Sequence, residues 1–589
     1  MNLLSRALAL LVLGCALAGS EAPMIEPGGE LQYRIAMAQD RMLHGTNPVF
    51  TDDFIIADVA LRPDYPRRFA SYSGDISGRY LGAFACMPPT GVALRMERLV
   101  DKILACQKPD GRFGSVDLQY TPDVVGLDHM ALLWGNGRLL VGLLEYNATT
   151  PSEEVLSACK RSGDFLISVS TGCMDKAVVD RVTSLGAAGM ICLSQLVEPL
   201  MMLAGATGDA KYREGAIALL PWFLQERGAQ HTHGYLTTLR GIMMLHASTR
   251  DEQYLTLVKS LYDGLINSPD YLVYGGVREY FGDKFDRDEG CSEADFIRLS
   301  LMLWETTGDA AYLERAERCL LNQFYNDQFA TGDFGHHPFF SHGVAPSLGQ
   351  GRAWWCCTMH GLRAFRDVAD AIVRDKNGAL AVNLFLDAQW DDGARGVTVT
   401  TNPSDPRRPY CAITADRAPE AGIALRIRKP SWTSTVTLSL SGNPVSARED
   451  AGYLVPETPL RQGDTLDVSM ELTTRLLLRD GSTSTPGQLT EKPLEAALFH
   501  GPWLLSVNES DDPLFYGEPW MENVIELPAT LQGASGHESP LVIPRAHITC
   551  EYVHGGYPDP QQVTLQPISE GTRHEPAAQA VWLRYRKPE

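Results

Sequence analysis

The hexapeptide TGDAKY at residues 207–212 is followed by TRDEQY at residues 249–254 and by TGDAAY at residues 307–312. In each copy an amphipathic run ends at the Thr-Gly or Thr-Arg step, and another run begins at the Asp, which is a favoured N-cap residue. The copies start 42 and 58 residues apart, a spacing that suits one αα-hairpin plus a loop of variable length. The repeat therefore predicts a stack of αα-hairpins.

Helical periodicity extends on both sides of this repeat, from about residue 30 to residue 373. Further helices are predicted at residues 94–106, 132–146, 153–167 and 361–373. Stacked αα-hairpins form either an open solenoid or a closed toroid. Long glycine-rich inserts at residues 108–126 and 328–351 favour the toroid, because loops of this length can build one functional face. We expect an (α/α)6 barrel.

The period of the apolar residues changes to two after residue 373. Alternating runs predict strands at residues 397–400, 423–427, 436–440 and 466–470, with turn residues between them. A second set of strands is predicted at residues 496–507, 541–543, 562–566 and 581–585. We therefore expect a multidomain chain, with an (α/α)6 helical barrel at residues 23–378 followed by all-β sandwich domains at residues 379–480 and 490–589.

Size, charge and the first residues limit the classes of protein that this chain can represent. Its 589 residues, 44% hydrophobic and 21% charged, are typical of a globular protein, and the formal charge of −21 argues against nucleic acid as a partner. Residues 1–22 combine a basic start, a short apolar run and Ala-Leu-Ala, which predicts a signal peptide. No later run is long enough to predict a transmembrane segment. We expect an exported protein that is periplasmic, secreted or, through Cys15 in a lipobox-like VLGC, lipid-anchored.

Two short motifs carry the chemistry of this sequence, WWCCTMHGLRAF at residues 354–365 and Glu-Gly-Cys ahead of an earlier helical run. Cys356 and Cys357 lie just ahead of the predicted last helix. Glu289 and Cys291 are two residues apart, so their side chains point to the same side if this tripeptide is extended. Three thiolates and a carboxylate that converge in this way would suit a four-coordinate zinc ion.

A structural interpretation of the same residues is also open. Ser292 and Asp295 resemble a capping box, which predicts a helix that starts directly after the cysteine. Buried cysteines are usually small apolar residues, and the pair at residues 356–357 could instead form a vicinal disulfide. The twelve cysteines become eleven if Cys15 leaves with a signal peptide, and an odd number leaves at least one thiol unpaired.

These motifs resemble the signature of the β-L-arabinofuranosidase family, glycoside hydrolase family 127 and its relatives. The resemblance extends over most of the chain, to NQFYN at residues 322–326, VNLFL at 382–386, LRIRKPSW at 425–432 and HGP at 500–502. The fold that it implies, a helical barrel followed by β-sandwiches, agrees with the periodicity. The resemblance also implies a retaining glycosidase in which Glu-x-Cys and Cys-Cys bind zinc and one thiolate of the pair is the nucleophile.

The resemblance implies a role for individual residues. Cys356 would be the nucleophile, and Glu279, which follows the Gly-Gly turn of YGGVRE, would be the acid/base. The ligands of one Zn²⁺ per chain would be Glu289, Cys291, Cys356 and Cys357. Zinc keeps a coordinated sulfur deprotonated at neutral pH, and a thiolate is a better nucleophile than a carboxylate. From the residues alone, Glu279 is equally well explained as a solvated charge or as a partner of Arg278.

The sugar-contacting residues are the part in which this chain departs from the family. The residues expected to contact substrate are His231, His233, His336, His337, Trp355 and His360. His360 stands where the family has an Asn, and Gly137-Arg138 stands where it has Gly-His. The tryptophan pair at residues 354–355 could stack on a sugar or wedge the cysteine loop into the core. We expect an oligo- or polysaccharide substrate that contains β-L-arabinofuranose or a related pentose or deoxy-sugar, as in plant or algal glycans.

Three other interpretations fit the sequence. A metal-free (α/α)6 hydrolase or lyase would use carboxylates such as Asp128, Glu279 or Asp288. A non-catalytic exported glycan-binding protein would keep the fold without turnover. In a third interpretation, Glu-x-Cys and Cys-Cys form a purely structural zinc clamp, and the chemistry lies elsewhere or is absent. Nothing in the sequence indicates an oligomeric state.

Overall fold

The computed structural model describes residues 23–62, 64, 71–185, 189–225, 230–282, 286–345, 352–402, 410–529, 546–555, 559–573 and 577–588. The predicted signal peptide at residues 1–22, with Cys15, and the predicted strand at residues 541–543 lie outside these ranges. Signal cleavage and lipid anchoring therefore stay predictions.

The first part of the chain is helical. Its helices α1 to α16 are Gly29–His44, Asp52–Ala60, Asp75–Cys86, Ala93–Leu104, Leu127–Thr149, Glu153–Gly172, Lys176–Thr183, Met190–Ser194, Val197–Thr207, Ala210–Gln225, Thr232–Thr249, Glu252–Ile266, Gly290–Thr307, Ala310–Arg318, Tyr325–Asp327 and Trp355–Ile372. A π-helical turn, Cys319–Phe324, links α14 to α15. The helices share one continuous apolar core.

The repeated hexapeptide forms the helix–helix turns that its sequence predicts. Helix α9 ends at Thr207, and Gly208 follows in the left-handed conformation with φ 70°. Asp209 then accepts a hydrogen bond from the backbone of the next helix. The same arrangement recurs at the ends of α11 and α13, where Arg250 (φ 60°) and Gly308 (φ 73°) are the left-handed residues. The sequence prediction of αα-hairpins at these three places is confirmed.

The last part of the chain is built of strands. Strands β1 to β25 are Met24–Pro27, Gly335–His336, Phe339–Phe340, Gly343–Val344, Arg352–Ala353, Val373–Lys376, Ala379–Val382, Ala388–Asp391, Gly396–Thr401, Cys411–Arg417, Leu425–Arg428, Thr433–Leu440, Asn443–Pro444, Ala447–Asp450, Tyr453–Pro456, Thr465–Leu472, Thr474–Leu477, Thr483–Ser484, Leu494–His500, Trp503–Asn508, Val524–Glu526, Ile548–Val553, Gln561–Pro567, Gln579–Ala580 and Trp582–Arg586. The expected fold class, a helical barrel followed by β domains, is confirmed.

The sheets also take up pieces of chain from the helical part. A seven-stranded sheet includes β1, which pairs with β8, and a five-stranded sheet begins with β6 directly after α16. An eleven-stranded sheet incorporates β3 and β4 from the loop ahead of α16, through the pairing of β4 with β24. The helical and β parts are therefore joined by backbone hydrogen bonds as well as by side chains.

Two sequence-predicted boundaries were wrong for identifiable reasons. The single strand predicted at residues 496–507 is two strands, β19 and β20, because Gly501 between them adopts φ 58° and turns the chain. The last helix starts at Trp355, six residues before its predicted start, so the cysteine pair lies inside it. The pattern of apolar residues did not predict this first turn, because its residues line the site and do not form a continuous apolar face.

One stretch among the described residues, Met190–Thr207, is long and apolar enough to cross a membrane. It comprises α8 and α9, and 72% of it is buried inside the fold, which is the environment of a core helix pair.

Candidate active site

The cysteines of both motifs lie in the first turns of helices. Cys291 follows the N-cap residue Glu289 of α13, and Cys356 and Cys357 follow the N-cap residue Trp354 of α16. Free backbone N–H groups and the positive end of the helix dipole favour a negative sulfur at such a position. Each helix start therefore offsets part of the cost of a buried negative sulfur.

The predicted capping box at the start of α13 was wrong. Glu289 itself is the N-cap, with an extended backbone (φ −156°, ψ 124°), and its side chain accepts a hydrogen bond from Ser292 Oγ at 2.7 Å. Asp295 lies further along the helix and points into the barrel. The extended segment thus ends at Glu289, and Cys291 already belongs to the helix. The two side chains therefore converge from an extended residue and a helical residue, and not from one extended tripeptide as predicted.

The four predicted zinc ligands do come together. One ligand atom from each of Glu289, Cys291, Cys356 and Cys357 lies within 4.8 Å of all the others. The sulfur of Cys357 is 3.6 Å from that of Cys291 and 4.0 Å from that of Cys356. Zn–S bonds of about 2.3 Å in a tetrahedral site separate two sulfurs by about 3.8 Å, so the donor set fits zinc. The 4.0 Å between the sulfurs of Cys356 and Cys357 is far longer than an S–S bond of about 2.05 Å, so the pair does not form a vicinal disulfide in this structure.

The three thiols are not equivalent. Burial raises the pKa of Cys291 and of Cys357 well above the usual value. The pKa of Cys356 instead lies well below it, because the other two thiols hydrogen-bond to its sulfur and Arg79 adds positive charge. Cys356 is also partly exposed, whereas the other two are buried. Cys356 is therefore both the most acidic and the most exposed of the three thiols.

Glu279 lies beside the cluster, in contact with Arg287 and His336. Arg287 donates both Nε and Nη2 to its carboxylate, the latter at 2.9 Å, and His336 Nε2 lies 3.6 Å from Oε1. Burial would raise the pKa of Glu279, but the bonds from His336 and Arg287 outweigh burial and hold it below its usual value. The sequence alternative of a pair with Arg278 was wrong, since that residue bonds to Asp286.

His231 connects Glu279 to the cysteine cluster. Its Nε2 lies 3.1 Å from Glu289 Oε2, and one ligand atom from each of His231, Glu279 and Glu289 lies within 4.8 Å of the others. Glu289 belongs to both groups. The structure therefore brings His231, Glu279 and His336 together with the predicted metal ligands.

His233 and His360 meet at Asp295, a residue that the sequence had assigned to a cap. Asp295 is fully buried and accepts hydrogen bonds from His233 Nδ1 at 2.5 Å, from His360 Nε2 at 2.8 Å and from Thr237 and Arg240. A lone Asp in the apolar run of α13 was the one sequence signal that could have revealed this junction.

Arg79 is a site residue that the sequence analysis missed. Its Nε donates to Asp75 at 2.8 Å, its Nη1 lies 3.7 Å from Cys291 Sγ, and its Nη2 lies 2.8 Å from His233 Nε2. Trp134 Nε1 also donates to Asp75, at 3.0 Å. Because an arginine can only donate, His233 must accept at Nε2 and carry its proton on Nδ1, facing Asp295. No motif marks Arg79, since its partners are far away in sequence.

The remaining residues that the sequence predicted for the site make their contacts outside the cysteine cluster and Glu279. His337 is not beside Glu279: its ring stacks on Phe329 at 4.8 Å, and its Nδ1 lies 3.1 Å from Asp327. Trp355 is partly exposed and packs edge-on against Phe54 at 5.1 Å. Of the carboxylates in the metal-free interpretation, Asp128 is exposed and bonds to Ser71, and Asp288 is fully buried.

Comparisons with known families agree with this geometry. A family model described as "Beta-L-arabinofuranosidase, GH127 catalytic domain" matches residues 70–370, and one described as "Beta-L-arabinofuranosidase, GH127 middle domain" matches residues 379–472. No curated protein matches the chain.

Solved structures of the same kind share the fold over nearly the whole length. A GH127 β-L-arabinofuranosidase from Geobacillus stearothermophilus T6 is 16% identical, with a TM-score of 0.71 over 96% of this chain and 100% of that one. A second GH127 β-arabinofuranosidase is also 16% identical, with a TM-score of 0.69 over 95% of this chain and 96% of that one.

Proposed function

The chain belongs to the GH127 β-L-arabinofuranosidase family and is a glycoside hydrolase, and on this premise we propose that it is an exported, retaining enzyme with Cys356 as nucleophile and Glu279 as acid/base. The observation that carries the proposal is the convergence of Cys356, the most acidic and most exposed thiol of its cluster, with Glu289, Cys291 and Cys357. One Zn²⁺ per chain would be held by these four residues. When bound, it would keep their sulfurs deprotonated at neutral pH.

The reaction divides between Cys356 and Glu279. Cys356 Sγ attacks the anomeric carbon while Glu279 donates its proton to the leaving glycosidic oxygen, so a C–S bond forms as the C–O bond breaks. Glu279 then takes a proton from water, which attacks the same carbon and releases the thiolate. Two displacements at one carbon give net retention.

The contacts of Glu279 affect its protonation state, which differs between the two displacements. In the free enzyme Arg287 and His336 hold Glu279 as a carboxylate, which is the form that activates water. The first displacement needs the protonated form. Glu279 must therefore take up a proton as the glycoside binds and loosens the Arg287 contact.

The altered sugar-contacting residues bear on the substrate. Arg138, which stands where the family has a histidine, is only 1% exposed and is bound to Glu198 and Gln195 in the interior, so it does not reach a sugar. His360 is likewise fully buried against Asp295. We propose a glycan substrate with β-L-arabinofuranose or a related pentose or deoxy-sugar, whose ring is contacted mainly through His231 and the Glu279 side of the site.

A mechanism-based label tests the assignment of the nucleophile. An electrophilic L-arabinofuranoside analogue should alkylate Cys356, and peptide mass spectrometry should find the adduct there. Cys356→Ser should abolish turnover even in protein that retains zinc, because a hydroxyl is a much weaker nucleophile. Cys357→Ser is the matched control, which should lose activity together with zinc and regain part of it when zinc is added.

The anomeric configuration of the released sugar, together with the site of the label, separates the competing interpretations. Inversion at the anomeric carbon would exclude a thioether on the reaction path and favour the two-carboxylate hydrolase. Retention with the label on a carboxylate would leave the cysteine cluster as a structural clamp. Glu279→Gln should slow turnover by about 10²–10⁴, with a smaller loss for substrates that have good leaving groups.

A further inference from the structure

A second group of ligand-type side chains is buried behind the cysteine cluster. One ligand atom from each of Asp288, Asp327 and His337 lies within 4.8 Å of the others. His337 Nδ1 is 3.1 Å from Asp327 Oδ1 and 3.8 Å from Asp288 Oδ1. The two aspartates have no exposed surface, and the histidine is 3% exposed. Two carboxylates thus face one imidazole nitrogen out of contact with water.

The group contains oxygens that the protein does not satisfy. Within the described part of the chain, Asp288 Oδ2 is buried and has no hydrogen-bond partner. Glu293, which is also fully buried, has no aligned partner there for either carboxylate oxygen. Burial, together with the neighbouring Asp327 and Asp288, raises the pKa of Glu293 well above its usual value, and the Gln323 side chain only partly opposes this rise. Buried oxygens without partners cost free energy, so a positive ligand among these carboxylates would relieve the cost.

The chemistry of the donor set indicates which ligand fits. Oxygen-rich donors with one imidazole suit a harder divalent ion such as Mn²⁺, whereas thiolates select zinc. Two carboxylates and a neutral imidazole balance a charge of +2, which is what a water-excluded site requires. We propose that Asp288, Asp327 and His337 form a second metal site, which takes a divalent cation of the Mn²⁺ class.

The position of this site gives it a structural task. Its members come from three segments: the lead-in to α13, the end of α15 and the loop after β2. Asp288 directly precedes Glu289, and His337 directly follows His336. The two backbones are already joined, because Asp288 N donates to His337 O at 3.1 Å. A cation here fixes the segments that present Glu289 to the cysteines and His336 to Glu279.

Metal analysis of the full chain tests the proposal with Mn²⁺ alone as probe. Chelator-treated protein should bind one Mn²⁺ per chain, and the electron spin-echo spectrum should show coupling to a histidine nitrogen. Asp327→Asn should weaken Mn²⁺ binding at least about 10-fold, and His337→Gln should remove the nitrogen coupling. Cys357→Ser is the control, which should lose zinc and keep Mn²⁺.

Several results would overturn the site. Mn²⁺ binding that is absent, or equal in wild type, Asp327→Asn and His337→Gln, would mean that these carboxylates hold protons instead of a metal. Loss of Mn²⁺ with Cys357→Ser would assign the ion to the cysteine cluster. If the variants do not fold, anomalous scattering from wild-type crystals soaked in Mn²⁺ provides the test. The proposal requires a peak between Asp288, Asp327 and His337, and the absence of a peak there would overturn it.

Discussion

At the scale of single residues, Arg79 shows how a buried anionic site is balanced. With zinc bound, three thiolates and the Glu289 carboxylate would carry four negative charges, of which one Zn²⁺ would neutralise only two. Arg79 is 2% exposed, lies 3.7 Å from Cys291 Sγ and is oriented by Asp75. A guanidinium keeps its charge at any physiological pH, so it supplies a permanent positive neighbour for the sulfurs.

Replacing Arg79 should therefore weaken metal binding. Arg79→Met should reduce zinc affinity about 10–100-fold, as loss of an outer contact to a metal ligand commonly does, and Arg79→Lys should restore part of it. Competition with a chromophoric chelator measures the affinity without relying on activity.

The matched control for this prediction is Arg363→Met. Arg363 is equally buried at 1% exposure and bonds to Glu145 and, at 3.4 Å, to His360, and within the described part of the chain none of its hydrogen bonds goes to Cys291, Cys356 or Cys357. Equal zinc loss in both variants would mean that damage to the barrel interior, and not the charge of Arg79, lowers the affinity.

At the scale of elements, two helix starts hold the site, and their close approach depends on Gly290. A Cβ added there would clash with Asp327 Oδ2 and lie 3.0 Å from Phe334 Cβ and 3.2 Å from Cys357 Cβ. Helix α13 can approach α16 closely enough for Cys291 and Cys357 to meet only because residue 290 has no side chain.

Gly290→Ala should separate the two helix starts. We expect a lower melting temperature and weaker zinc retention, because the added methyl group must displace Asp327 or the backbone of α16. Thermal unfolding and zinc content measure the two effects.

Gly172→Ala provides the comparison for Gly290→Ala. Gly172 is the last residue of α6, and a Cβ there meets no atom within 4 Å, so this change should be neutral or slightly stabilising. Normal zinc retention in Gly290→Ala would show that the helix spacing tolerates a side chain.

At the scale of the whole molecule, a buried ion pair joins the barrel to the β part. Arg428 on β11 donates to Glu317 on α14, and Trp432 Nε1 donates to the same carboxylate at 2.7 Å. Both partners of the ion pair are at most 5% exposed. Burial raises the pKa of Glu317 above its usual value, and Arg428 and Trp432 only partly oppose this rise.

Breaking this pair should destabilise the molecule in a pH-dependent way. Arg428→Met leaves Glu317 buried without its cation, which should cost about 3–5 kcal/mol at neutral pH. Without Arg428 the folded-state pKa of Glu317 rises further. A raised folded-state pKa gives stability that is present at low pH and lost as pH rises through that pKa, so the deficit should shrink on acidification.

Unfolding midpoints at pH 5 and pH 8 measure the effect of Arg428→Met. The double variant Arg428→Met with Glu317→Gln should recover much of the loss at pH 8, since no buried charge remains. A deficit that is the same at both pH values, or that grows on acidification, would contradict the assignment to Glu317.

The sequence by itself determined the local structure and the chemical inventory. The Thr-Gly-Asp or Thr-Arg-Asp step in each of the three repeats ends one helix and starts the next, because a left-handed residue and an N-cap aspartate act within a few residues. Apolar alternation likewise located β9, β12 and β16 to within a few residues. The cysteines, Glu289 and Glu279 could be predicted because the family motifs that contain them are short continuous stretches of sequence.

Only the tertiary structure decided how distant residues are paired. The sequence analysis missed the site roles of Arg79, Asp295 and Arg287, since the partners that give each of them a role are set by barrel packing. Alternation along an extended segment separates His336 from His337, but only packing decides that His336 faces Glu279 and His337 faces Asp327. Local rules act along the chain, whereas buried charges are matched across it, so the fold class could be predicted and the site's balance of charge could not.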